Sequence, residues 1–189
     1  MHSPALLLLL LSGLVAGFTI PADQPDGVYG VTFDNDGKAI HTLIGPPLNQ
    51  TEVAQLLAAR AAAPEPMIPS ASRIHARQKD ATYCGNYGLD HASTDAAVEA
   101  LKFHCQPGAV NAGMDFYSIS GSTVAYICNI GKKGWVCQRS DLTSDYAHIT
   151  DVCGWYMSGW RQYWRDGDTG AQTGYEDRNA NFCDRGIDG

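Results

Sequence analysis

The longest apolar run of the chain, Ala5 to Val15, holds six consecutive leucines and is interrupted only by Ser12 and Gly13. Small residues, Ala16 and Gly17, follow it, and a polar stretch begins near Pro21. A run of this length suits an export signal and falls short of the ~20 residues a membrane-spanning helix needs. A leader over residues 1–17 is expected, cut after Gly17 with Val15 at the minus-three position. No other segment approaches that length, so no membrane span is expected.

Between Phe18 and Arg77 the pattern loosens. Glycines 27, 30, 37 and 45 and prolines 21, 25, 46, 47, 64, 66 and 69 interrupt it, and the one strongly helical stretch is Thr51 to Ala63, with Glu52 near its start. Ordering so long a segment costs conformational entropy that these scattered apolar residues are not expected to offset. Residues 18–77 therefore read as a poorly ordered pro-segment. Its end is marked by Ser72-Arg73-Ile74-His75-Ala76-Arg77, where an aliphatic residue three positions before Arg77 resembles the relaxed site cut by fungal kexin-type processing proteases. Asn49-Gln50-Thr51 is a glycosylation sequon. Processing at Arg77 is expected to carry that glycan away.

Beyond Gln78 periodicity returns. Ser93-Thr94-Asp95 supplies a helix N-cap, and Ala97, Val98, Leu101, His104 and Cys105 fall on one stripe that ends at Pro107-Gly108. Phe116 to Ser120 and Thr123 to Ile130 read as strands on either side of Gly121-Ser122. Gly131-Lys132-Lys133-Gly134 reads as a hairpin turn into Trp135-Val136-Cys137, which would put Cys128 and Cys137 on neighbouring strands. A second helix is expected from Asp141 or Thr143 through Tyr146, Ile149, Cys153 and Tyr156 to Trp160, although Gly154 and Gly159 each cost about 1 kcal/mol relative to alanine in a helix interior. Gly174 to Phe182 reads as a closing strand. The predicted class is α+β: a small disulfide-stapled two-layer sandwich, an antiparallel sheet with two helices on one face.

Cysteine usage agrees with export. Cys84, Cys105, Cys128, Cys137, Cys153 and Cys183 all follow residue 83, as do all four tryptophans. An even count in a short exported domain predicts three disulfides, each worth about 2 to 4 kcal/mol. Their pairing stays open, since spacing does not choose among the possible connectivities. No C-x-x-C pair and no H-x-x-x-H arrangement is present, so neither a metal site nor a cofactor is expected. From Gln78 to Gly189 nine basic side chains face fourteen acidic ones, a surplus that would repel a nucleic acid.

Certain blocks carry a resemblance: Tyr83-Cys84-Gly85-Asn86-Tyr87, the helix ending Leu101-Lys102-Phe103-His104-Cys105, the strand Val124-Ala125-Tyr126-Ile127-Cys128-Asn129, Cys153-Gly154, Gly174-Tyr175-Glu176 and Asn181-Phe182-Cys183. Together they resemble small cysteine-rich secreted proteins of filamentous fungi, many of them candidate plant effectors. The order of helix, strand and helix is similar to the killer toxins encoded by viruses of smut fungi and to the related necrosis-inducing effectors. The resemblance spans roughly Ala81 to Asp184 and implies a virulence role in which a secreted monomer meets a host or competitor protein, or a cell-surface glycan.

Catalytic signatures are lacking. There is no G-x-S-x-G, no phosphate-binding G-x-x-x-x-G-K and no H-E-x-x-H. A guanyl-type fungal ribonuclease is the runner-up, since His91, His104, His148, Glu176 and several arginines supply general acid, general base and phosphate cation, but its glycine-flanked arginine and threonine-flanked histidine are missing. The segment Trp155 to Arg165 is the best candidate surface, because aromatic and arginine side chains are enriched where proteins bind partners or stack on sugars. Trp160, Arg161, Tyr163, Trp164 and Arg165 are its candidate binding residues. Trp164, between Arg161, Arg165 and Asp166, is the ring expected to be exposed, with Trp155, Tyr156 and Trp160 more inclined to fill the core. Function is thus read as binding, with ribonuclease-like hydrolysis or carbohydrate binding as alternatives.

Overall fold

Tyr117 and Tyr126 are large, fully buried and cross-strand partners, and the sheet is built outward from them. The computed structural model describes residues 17–62, 80–105, 108–164 and 167–183. Residues 1–16 of the expected leader, and Arg77 and Arg165, lie outside the described residues. In chain order the elements are β1 (Gly27–Phe33), β2 (Ala39–Gly45), α1 (Gln50–Ala62), β3 (Asp80–Gly88), α2 (His91–His104), β4 (Gly108–Val110), β5 (Asp115–Ser120), β6 (Thr123–Asn129), β7 (Trp135–Cys137), α3 (Arg139–Cys153), β8 (Met157–Trp164) and β9 (Gly170–Asp177). Seven strands form one antiparallel sheet in the order β2-β1-β5-β6-β9-β8-β3, and β4 pairs with β7 separately. The fold is α+β, as the periodicity predicts.

One face of the sheet carries the helices. Val28, Ala125, Ile127 and Tyr175 meet Ala97, Leu101, Leu142, Tyr146 and Ile149 there. α2 lies over β5 and β6, α3 over β8 and β3, and α1 packs on α2 as a third helix. The other face holds a row of five rings in register across six neighbouring strands: Tyr29, Tyr117, Tyr126, Trp160 and Tyr83, with Gly174 between Tyr126 and Trp160. Gly174 has to be small, because a Cβ there would lie 2.5 Å from the Tyr126 hydroxyl and 2.6 Å from Trp160 Cβ. Phe18, Ile20, Phe182 and Cys183 close over the half of this row nearer β1.

All six cysteines are paired: Cys84–Cys153, Cys105–Cys137 and Cys128–Cys183. The first fastens edge strand β3 to the end of α3, the second fastens the end of α2 to β7, and the third fastens β6 to the C-terminal segment. They are compatible with an extracellular protein. Among the described residues no helix is long and apolar enough to cross a membrane.

Several expectations are corrected. Residues 18–62 are not poorly ordered: β1 is the second strand of the sheet, Val28 and Val31 are fully buried, and Phe18 bridges Phe182. The apolar burial this segment lacks by itself is supplied by β5 and by the C-terminal rings, which are remote in sequence. Cys128 and Cys137 do not sit on neighbouring strands, because β7 leaves the main sheet to pair with β4 while Lys132 and Lys133 donate backbone N–H bonds to Asp168. The N-cap of α2 is Asp90, whose carboxylate accepts the Ser93 N–H, three residues before the predicted cap. The second helix stops at Gly154, with φ +100°, and Met157 to Trp164 continue as a strand. The closing strand ends at Asp177, and Phe182 and Cys183 cover the sheet beside it. α1 agrees with its prediction, and Asn49 caps it: Asn49 Oδ1 accepts the Glu52 N–H at 2.9 Å, and Glu52 accepts the Asn49 N–H.

Candidate functional site

The predicted binding segment falls on β8, where side chains alternate between the two faces of the sheet. Trp160 points to the ring-bearing face and stacks on Tyr83 with centroids 4.1 Å apart. Trp164 is half-buried on that face, packed against Gly170. Arg161 and Tyr163 point the other way. Arg161 donates to Asp80 through Nε and Nη2 and to Asp145 through Nη1 at 3.0 Å, with its guanidinium over the Tyr163 ring, so it joins β3, β8 and α3. Tyr163 is buried. The four described residues, Trp160, Arg161, Tyr163 and Trp164, therefore do not form one surface, and Trp164 is not the exposed ring. Trp155 is, at 77% exposure, because the helix ends at Cys153, two residues before it, and leaves its ring outside both layers.

Trp155 stands at the rim of a cleft of about 210 Å³ between α2 and α3. Asp95, Glu99 and Lys102 form one wall, Thr150 and Asp151 the other, and the stacked pair Tyr146 and Tyr175 lies beneath. Spacing of four and then three residues puts Asp95, Glu99 and Lys102 on a single face of α2. Leu57 of α1 reaches the cleft from above. Tyr156 completes the rim in a left-handed backbone conformation, φ +57°. Such a conformation costs about 1 to 3 kcal/mol in a non-glycine residue and persists where its surroundings over-determine it. Here the Leu89 N–H donates to its carbonyl at 2.8 Å, His91 stacks on its ring at 3.8 Å, and its hydroxyl donates to Asp95 Oδ2 at 3.2 Å.

The charges in the cleft are unequal. Glu99 and Lys102 are almost fully buried and bonded to one another at 2.9 Å, and Arg139 donates to the second Glu99 oxygen at 3.0 Å. That leaves Asp95 and Asp151 as further carboxylates facing the space. Burial pushes the Asp95 carboxyl up, against the hydrogen bond from Tyr156 that lowers it. Burial likewise raises Tyr156, Tyr146 and Tyr175. A space lined by aromatic rings and a carboxylate surplus suits an ammonium or guanidinium group, which gains from both the ring faces and the negative charge. The chain matches no protein-family model, no curated protein and no solved structure. The geometry of the cleft carries the functional reading.

The residues of the hydrolytic alternative stand apart. His148 Nε2 is 3.0 Å from Thr82 Oγ1, His91 stacks on Tyr156, and Glu176 accepts the Tyr87 hydroxyl. Among the described residues no hydrogen bond or ring contact joins any two of the three. The one potential metal cluster there, Asp115 with Cys128 and Cys183, has both sulfurs committed to a disulfide. Sequence reasoning missed Asp95 and Glu99 as site residues; the four-residue spacing of two carboxylates beside an apolar stripe was the available signal.

Glu176 yields a pH prediction. Its burial raises the carboxyl above the ordinary value of 4.5, against the Tyr87 bond that lowers it. A raised folded-state value means that its contribution to stability is fully present below the unfolded value and is lost as pH rises through the folded one. Glu176→Gln keeps an acceptor for Tyr87 and stays neutral. Urea unfolding of both proteins should show the variant gaining relative to the wild type as pH rises toward neutrality, and a difference constant with pH would refute the assignment.

Proposed function

We propose that this chain is an exported binding protein of the effector or toxin-like kind, which engages a host or competitor protein by seating one of its cationic side chains in the cleft under Trp155. The observation that supports this reading is the cleft itself: an exposed indole and a strained, triply anchored tyrosine beside carboxylates whose charge Lys102 and Arg139 do not fully match. Three disulfides support work outside the cell. The overall charge of −7 favours a basic partner.

The experiment titrates the oxidised protein with arginine- and lysine-bearing peptides, read by indole fluorescence, beside application of the same protein to host and competitor cells. Trp155→Ala should weaken peptide binding about tenfold, the scale of a partly desolvated cation–π contact, and should blunt the cellular response. Asp95→Asn should weaken binding further at low salt. A double variant with full affinity and full cellular effect would sink the proposal.

A glycan ligand is a second reading, supported by the ring row that ends in the Trp160–Tyr83 stack, where Tyr83 is 46% exposed. Aromatic faces of this kind suit sugar rings. Glycan-array retention that survives Trp155→Ala and is lost in Trp160→Ala and Trp164→Ala would select it. RNA cleavage abolished by substituting His91, His148 or Glu176 would select the hydrolytic alternative instead.

A further inference from the structure

The sheet is wider than the helical layer that covers it. α2 ends at His104, with Cys105 as its C-cap, while the sheet continues through β1 to its edge strand β2. Ile44 on β2 is accordingly 42% exposed, although it reaches the Gly30 backbone on the helix side. Beneath this overhang lies a second cavity of about 210 Å³, bounded by Val28, Ile44, Leu101, Phe116 and the Cys105–Cys137 disulfide. Among the described residues, His104 is the single lining residue with a hydrogen-bonding side chain. Its ring is fixed at the mouth between Phe103 and Gly45, where even a Cβ on Gly45 would overlap it.

Such a space holds water poorly, because a buried water needs two to four polar partners and these walls offer one imidazole. Left empty, it forfeits the dispersion contacts of its lining. Apolar cavities of roughly 150 Å³ stay dry and accept benzene, and this one is larger. Ligand sites are commonly of this kind, apolar with one or a few polar groups that fix orientation.

We propose that this cavity is a binding site for a small amphiphile, a single aromatic ring or short acyl chain whose polar end lies at the His104 imidazole. It is independent of the cleft under Trp155, on another part of the helical layer with a different set of lining residues.

The test uses the full oxidised chain with benzene, 1-octanol and octanoate as probes and glycerol as the polar control, followed by methyl NMR and thermal unfolding. Val28, Ile44 and Leu101 methyls should shift saturably with the three apolar probes and not with glycerol. The melting temperature should rise with probe concentration, as mass action requires for a ligand of the folded state. Ile44→Trp, placed at the exposed rim where it need not disturb the core, should weaken binding at least tenfold. Val28→Phe should fill the space and abolish it; if that variant does not fold, Ile44→Trp decides. His104→Ala should lower affinity for octanol relative to benzene. Absence of saturable shifts for all three apolar probes overturns the site. Unchanged affinity in Ile44→Trp overturns its location, and an unchanged octanol-to-benzene ratio in His104→Ala overturns the placement of the polar end.

Discussion

A chain that begins at Gln78 is expected not to fold. Removing residues 18–77 deletes β1 and β2 from one end of the seven-stranded sheet and strips Phe18 and Ile20 from the ring-bearing face. It removes the β1 ladder from β5 between Asp115 and Ile119, leaving that edge of β5 open, and uncovers Tyr117 and Ile119, both fully buried in the intact protein. Each buried side chain of this size contributes about 1.5 to 3 kcal/mol, and a domain has only about 5 to 15 kcal/mol of net stability. The lost contacts therefore exceed what the remainder can spare, even with three disulfides in place. The shortened protein should show no cooperative thermal transition and should bind a hydrophobic dye, and a synthetic 18–62 peptide should restore the transition. A cooperative transition within a few degrees of the full chain's would refute the assignment of β1 to the core. It follows that cleavage after Arg77 would leave two fragments held by the β1–β5 ladder and the Phe18–Phe182 contact, so that a glycan on Asn49 would stay with the molecule.

Glu99→Ala is the single substitution expected to cost most. Glu99 is 2% exposed and Lys102 1%, and between them they hold the α2 wall of the cleft, with Arg139 of α3 on the second carboxylate oxygen. Removing the carboxylate breaks the buried 2.9 Å ion pair with Lys102, and removing one partner of such a pair typically costs 3 to 5 kcal/mol. Replacing both partners by apolar residues of similar volume is often neutral or stabilising. Denaturant unfolding should accordingly place Glu99→Ala about 3 to 5 kcal/mol below the wild type, with Glu99→Leu combined with Lys102→Met close to it. A loss in Glu99→Ala below ~1 kcal/mol, the scale of a surface pair, would show that the pair is solvated.

The cleft also places the two functional readings on separate surfaces. Trp155, Tyr156 and Asp95 serve the helical layer, and Trp160, Trp164 and Tyr83 serve the opposite face of the sheet. Variants of one group should leave the other group's ligand untouched, so a cationic partner and a glycan are distinguishable in one set of proteins.

What the sequence determined by itself is the local part. The apolar stripe of α2, the β5–β6 hairpin around Gly121-Ser122, the helical stretch of α1 and the α+β class all follow from periodicity and turn residues within a dozen positions. An even cysteine count announced three bridges, because pairing in an oxidising setting leaves no thiol over. Tertiary structure decided everything that depends on partners distant in the chain. β1 reads as weak material until β5 covers it, and Gly154 could as well interrupt a helix as end one until β3 and β9 offer Met157 to Trp164 two ladders. The stripe Tyr146, Ile149, Cys153 continues to Tyr156 and Trp160 at helical spacing by coincidence of residue type, and the strand wins because it satisfies backbone groups on both sides. The same long-range contacts set the disulfide partners, turned Arg161 inward onto Asp80 and Asp145, and brought Asp95 beside Tyr156, sixty-one residues away. Periodicity records which face of an element is apolar, whereas the identity of the element that covers it is set only when the chain closes on itself.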